Sequence, residues 1–114
     1  MKVKEILKHK GPEVFTIGED KTIADAVRIL SANNIGVLLV LNSEAKISGI
    51  ISERDIIRSL AHEPENCLAK KVKELMTKQI IVVEPEDELD YVEQVMTNNR
   101  VRHVPVIHNK ILVG

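Results

Sequence analysis

The chain repeats itself. Val3-Lys4-Glu5-Ile6-Leu7 returns as Val72-Lys73-Glu74-Leu75-Met76, 69 positions later. Glu19-Asp20 returns as Glu86-Asp87 after 67 positions, Asn33 as Asn99 after 66, and Gly49 as Gly114 after 65. Short matches in constant order, with an offset that shrinks in small steps, are what loop deletions leave in a duplicated unit. Residues 1–61 read as a first repeat, 62–71 as a linker carrying Pro64, and 72–114 as a second repeat. A single copy is too small to close a core of its own, so the two are expected to pack together.

Both copies carry the same run of elements. A helical turn (Val3 to about Lys8, Val72 to Thr77) precedes a brief strand, Val14–Ile17 or Ile80–Val83. Thr22 with Asp25 three residues on has the pattern of a capping box. Behind it Ile23, Ala26, Val27 and Leu30 share one helical face. The second copy has Leu89, Val92 and Met96 on that face, interrupted by Glu93. Gly36–Leu41 is a continuous apolar run, read as a strand covered on both sides. Its counterpart is His103–Ile107, where Pro105 suits a strand start or edge because it has no N–H to donate. Asn42–Lys46 turns into a strand over Ile47–Ile51, and a helix over Glu53–Ala61 should turn Ile56, Ile57 and Leu60 inward. The turn in the second copy, His108-Asn109-Lys110, is shorter. The fold class is therefore α/β, two tandem β-α-β-β-α repeats with the second incomplete.

Charge and composition exclude several functions. Sixteen basic against 17 acidic side chains leave a net charge of -1, which argues against nucleic acid and anionic membrane as partners. Phe15 and Tyr91 are the only aromatic residues, too few for stacking single-stranded bases. Val37–Leu41, the longest apolar run, falls far short of the roughly 20 residues of a membrane span. A single cysteine suits a reducing cytoplasm, and Met1–Glu5 is followed by no apolar stretch of a secretory leader. His9, His62, His103, His108 and Cys67 have no metal-ligand spacing. Glu84, Glu86, Asp87, Glu88 and Asp90 cluster at a helix start, where they complement its dipole. Lys70, Lys71 and Lys73 read as a solvated face. No base–nucleophile pair is visible, so no enzymatic activity is expected.

Two segments can carry binding chemistry. In Gly49-Ile50-Ile51-Ser52-Glu53-Arg54-Asp55 a strand runs into a helix, whose first N–H groups lack helical partners and favour an anion. Ser52 adds a hydroxyl and Asp55 can accept both hydroxyls of a ribose. The same Ser-x-x-Asp spacing is also an ordinary capping pair. In Arg100-Val101-Arg102-His103-Val104-Pro105, strand alternation would put Arg102 with Val104 on one face and His103 on the other. Arginine there suits a phosphate; an exposed polar strand entry is the other reading.

With its duplicated openings, the helix Thr22–Asn33, the Gly49–Asp55 segment and the string Asn99-Arg-Val-Arg-His-Val-Pro-Val106, the chain resembles a tandem pair of CBS domains. The resemblance extends over nearly the whole chain and is closest to small prokaryotic CBS-pair proteins. It implies two repeats related by a pseudo-twofold axis, dimerising into a disc. It also implies a regulatory role through an adenosine-containing ligand (AMP, ATP, NAD or S-adenosylmethionine) bound between the repeats, with no other cofactor. Carried over by position, Ser52 meets phosphate or ribose and Asp55 the ribose hydroxyls, with Arg54 between them. Arg102 and His103, ahead of Pro105, face phosphates, while Thr16, Ile17, Ile35 and Val37 line the adenine pocket. A protein–protein module without a small ligand is the alternative. The family pattern would continue beyond Gly114 with a second serine–aspartate motif and a last helix, whose absence predicts an uncovered apolar sheet face.

Overall fold

The computed structural model describes residues 1–10 and 13–114. The elements run α1 (Val3–Lys10), β1 (Thr16–Gly18), α2 (Ile23–Asn33), β2 (Val37–Leu41), β3 (Ile47–Ser52) and α3 (Glu53–His62). A 3-10 turn at Cys67–Ala69 leads to α4 (Val72–Leu75), α5 (Leu89–Asn99), β4 (Ile107–His108) and β5 (Ile111–Leu112). They form two compact units, one of residues 15–80 and one joining residues 1–14 to 81–114. The units are therefore cut differently from the sequence repeats, since each includes the leading helix of the other repeat.

In the 15–80 unit, β2 is the central strand. It pairs parallel with β1 (Thr16 opposite Leu39) and antiparallel with β3 (Val37 opposite Ser52). Leu38, Leu39 and Val40 are buried, as a strand covered on both sides requires. Ile23, Ala26 and Leu30 of α2 pack with Leu38, Val40, Ile51, Ile56, Cys67 and Val72. Thr22 closes α2 with the anticipated box: its N–H donates to Asp25 Oδ2 at 3.2 Å and its Oγ1 accepts from the Asp25 N–H at 3.2 Å. At the far end Asn34 adopts φ 52° and the Ile35 N–H reaches back to the Leu30 carbonyl at 3.1 Å. This bond joins the one that the Asn34 N–H makes to the same carbonyl, and together they close the last helical turn.

In the other unit, Val3, Val83, Val92 and Val106 form a second core, flanked by Leu7, Leu89, Met96, Val104 and Val113. α5 ends as α2 does. Arg100 has φ 55°, and the Val101 N–H bonds the Met96 carbonyl at 3.0 Å. Asn33 and Asn99 each donate to the carbonyl four residues back, at 2.8 Å in both cases. The duplication thus extends to individual hydrogen bonds.

Several expectations need correcting. Ile57 and Leu60 do not turn inward: they are 61% and 37% exposed, because only the stripe of α3 through Ile56 meets the sheet. Val27 likewise lies at the exposed margin of α2. The strand expected over Ile80–Val83 reduces to one parallel bridge, Val83 with Val106. The strand expected over His103–Ile107 begins only at that bridge, since Pro105 offers no N–H and lends its carbonyl to Val83 at 3.0 Å. Arg102 and His103 therefore precede the strand, and strand alternation does not orient them. Lys71 and Lys73 are exposed, as a solvated face requires, and this face carries ion pairs: Lys73 with Asp20 at 2.9 Å and Lys70 with Glu63 at 2.6 Å. The first pair holds the Asp20 carboxyl below the usual range and the second does the same for Glu63, each mainly through the lysine hydrogen bond.

Candidate functional site

The topology of the 15–80 unit gathers most of the anticipated residues at one end of its sheet. Ser52 closes β3 directly opposite Val37, the first residue of β2. The Glu53 N–H donates to the Gly36 carbonyl at 2.9 Å, so α3 starts against the segment that carries Ile35. Thr16 opens β1 beside β2, and the Phe15 carbonyl accepts from the Leu39 N–H at 3.1 Å. Ile17 directs its side chain into the core, being 6% exposed. Only its backbone remains for a ligand. Thr16 and Arg54 are exposed; Ile35, Val37, Ser52 and Asp55 are half-buried.

Ser52 and Asp55 form a reciprocal cap. The Ser52 N–H donates to Asp55 Oδ2 at 2.9 Å, Ser52 Oγ donates to the same oxygen at 3.0 Å, and the Asp55 N–H donates to Ser52 Oγ at 3.2 Å. The capping reading is therefore realised in full. It leaves binding chemistry in place, because neither bond from Ser52 uses Oδ1. A carboxylate pinned through one oxygen is pre-oriented to accept hydroxyl donors on the other. The Thr22–Asp25 pair shows the contrast: there Asp25 Oδ1 is engaged by Arg28 at 2.8 Å. Hydrogen bonds from Thr22 hold the Asp25 carboxyl below its ordinary range.

Arg102, His103 and Pro105 lie in the other unit, the first two exposed and Pro105 buried. Among the described residues no group of three metal-ligating side chains comes together. No described helix is long and apolar enough to cross a membrane. One contributor has only a faint signal in the sequence. Thr77 lies beyond α4, which ends at Leu75, and not in the helical turn expected over Val72–Thr77. It pairs with Ile50 on the edge of β3, through Ile50 N–H to Thr77 O at 3.0 Å and Thr77 N–H to Ile50 O at 2.8 Å. Its signal in the sequence is Gly49, a glycine inside a strand, which marks close approach of another backbone.

A family model for the CBS domain matches residues 3–62 and again residues 72–114. The chain belongs to the CBS-domain family. Its mixed α/β fold matches solved CBS pairs. The CBS-domain containing protein ATU1752 from Agrobacterium tumefaciens superposes with a TM-score of 0.93 at 34% identity, over 99% of this chain and 84% of that one. The CBS domain pair of protein MJ0100, solved with 5-methylthioadenosine and S-adenosyl-L-methionine, gives 0.84 at 30% identity, over 100% and 86%. The mitochondrial CBS domain-containing protein CBSX3 of Arabidopsis thaliana is 32% identical over 98% of this chain. This CBS pair spans 58%, 35% and 56% of the lengths of three curated relatives.

Proposed function

We propose that this CBS pair is a non-enzymatic regulatory module that binds an adenosine-containing ligand. The observation that carries the reading is the Ser52–Asp55 pair, held at the end of β3 beside Val37 with Asp55 pinned through Oδ2 alone. Similarity to a CBS pair solved with two adenosyl compounds supports the ligand class. Asp55 accepts the ribose hydroxyls, Ser52 meets ribose or phosphate, and Arg54 flanks them. The segments at Thr16, Ile17, Ile35 and Val37 hold the base. Arg102 and His103, ahead of Pro105, are the groups that meet phosphate in this reading. A homodimer in a reducing cytoplasm, regulating a protein partner, completes the proposal. Such a partner responds only if it distinguishes the ligand-bound from the ligand-free state.

Isothermal titration with AMP, ATP, NAD, S-adenosylmethionine and 5-methylthioadenosine tests this. Saturable binding of at least one, weakened about tenfold or more by Asp55→Ala through loss of a charge-assisted bond, is the expected outcome. Silence from the whole panel rejects it. A ligand-free interaction module is the second reading, favoured by the exposed Ile57 and Leu60 on α3. It requires association that is indifferent to every nucleotide and lost on Ile57→Asp.

A further inference from the structure

Thr77 pairs antiparallel with Ile50, two residues before Ser52 on β3, and the Met76 side chain lies against Gly49. A Cβ built on Gly49 would sit 2.7 Å from Met76 Sδ and 2.9 Å from the Thr77 carbonyl oxygen. Only a residue without a side chain lets Met76 settle there. The strand is irregular at this point: Leu41 faces Ile47 and Val40 faces Gly49, so Ser48 is the extra residue of a bulge. Ser48 Oγ reaches the Val40 carbonyl at 3.4 Å and Met76 Sδ at 3.9 Å. Immediately beyond, the Ile50–Thr77 pair closes both of its backbone hydrogen bonds. A bulge bends and twists its strand, and side chains beyond it are re-aimed. Ser52, the last residue of β3, depends on how that bend is held.

We infer that Met76 and Thr77 are positioning residues for the Ser52–Asp55 site, with Gly49 as the socket that admits them. This deepens the ligand-binding reading and rests on it for its binding consequence. Neither Met76 nor Gly49 needs to touch the ligand. They clamp the bulged edge strand, and through Ile50 and Ile51 fix where the Ser52 hydroxyl and the Asp55 carboxylate stand. Thr77 also lies close to where the chain leaves this unit, which ends at Ile80. The clamp therefore ties the site to the segment by which the chain leaves this unit. A site tightened by ligand should in turn tighten the Ile50–Thr77 pair.

The experiment combines titration with residue-resolved amide hydrogen exchange on the full chain. In Met76→Ala, exchange should speed at Ile50, Thr77, Ser52 and Asp55, and affinity for the tightest-binding compound of the panel should fall about tenfold, the worth of one charge-assisted hydrogen bond. Gly49→Ala should do the same, and Gly49→Ala with Met76→Ala should recover part of the loss because the added methyl occupies the vacated space. Ile23→Ala, a core truncation on α2, should lower the melting temperature and leave affinity unchanged. Bound ligand should slow exchange at Ile50 and Thr77 in the wild type. Unaltered exchange at Ser52 and Asp55 in Met76→Ala overturns the inference, as does unaltered affinity in that variant. If the wild type binds none of the panel, the ligand-binding reading fails by itself. The exchange at Ser52 and Asp55 then still decides whether the clamp positions them. Should Gly49→Ala not fold, Met76→Ala decides alone.

Discussion

Ser52 and Thr22 do the same local work at the start of two helices, and comparing them separates capping from binding. Removing either cap hydroxyl costs about 0.5–2 kcal/mol of stability. Ser52→Ala and Thr22→Ala should therefore lower the melting temperature by similar amounts. Only Ser52→Ala should also weaken an adenosyl ligand in titration, and equal effects on affinity would reduce Ser52 to a cap. A second residue-scale device is the backbone of Lys110. The two-residue loop between β4 and β5 places Asn109 at φ 50° and Lys110 at φ 66°, as a type I′ turn demands. Asparagine tolerates that region, whereas lysine is strained in it. Lys110→Gly should stabilise the chain by about 1 kcal/mol, read as a higher denaturant midpoint with unchanged slope.

Among the elements, β2 carries the greatest share of the packing in its unit. Leu38, on the central strand, is fully buried in the core, so Leu38→Ala should cost about 2–5 kcal/mol. Urea unfolding measures it directly. α3 behaves differently. It buries Ile56 and leaves Ile57 and Leu60 in contact with solvent, so truncating Ile57 should hardly change the stability of the monomer. The helical period of apolar residues is plain in α3, but period alone does not say how wide a stripe the neighbouring layer will cover. That width depends on the sheet beneath, which residues distant in sequence build.

At the scale of the whole molecule, each unit borrows an element from the other repeat. α1 belongs with residues 81–114, where Val3 enters the core and the Val3 N–H donates to the Asp87 carbonyl at 3.0 Å. Deleting residues 1–10 should expose amides around Val83, Val92 and Val106 to exchange while leaving those of β2 protected. Glu86 reinforces this attachment by accepting from Lys2 and Lys4, each at 2.9 Å. Those lysines' hydrogen bonds, and then their charges, hold its carboxyl down at about 2 against an ordinary 4.5. The native value lies below the unfolded one, so the stabilisation is whole above about pH 4.5 and is lost as pH falls towards 2. Lys2, raised chiefly by its bond to Glu86, contributes below its ordinary 10.5 and loses that contribution as pH rises beyond it. Glu86 is exposed and Lys2 partly so, so added salt should shrink the acid-side effect. Glu86→Gln should flatten the melting-temperature profile between pH 4.5 and 2.

Much of this protein was legible in its letters. The duplicated order of matches, the capping pairs Thr22–Asp25 and Ser52–Asp55, and the apolar run of β2 are local patterns, and local backbone chemistry realises them wherever the chain is placed. Asn33 and Asn99 read as helix ends and are helix ends, because a side-chain amide reaching back four residues needs no distant partner. The tertiary structure alone decided the rest. Strands such as Ile80–Val83 need a neighbour to supply hydrogen bonds, and the chain around Pro105 offers too few. Thr77 became part of the edge of β3 because Gly49, 28 residues earlier, leaves room for it. Which helix completes which unit was also settled in three dimensions. A repeat records what was duplicated, whereas burial of apolar surface selects the contacts that stabilise most, regardless of which copy supplies them.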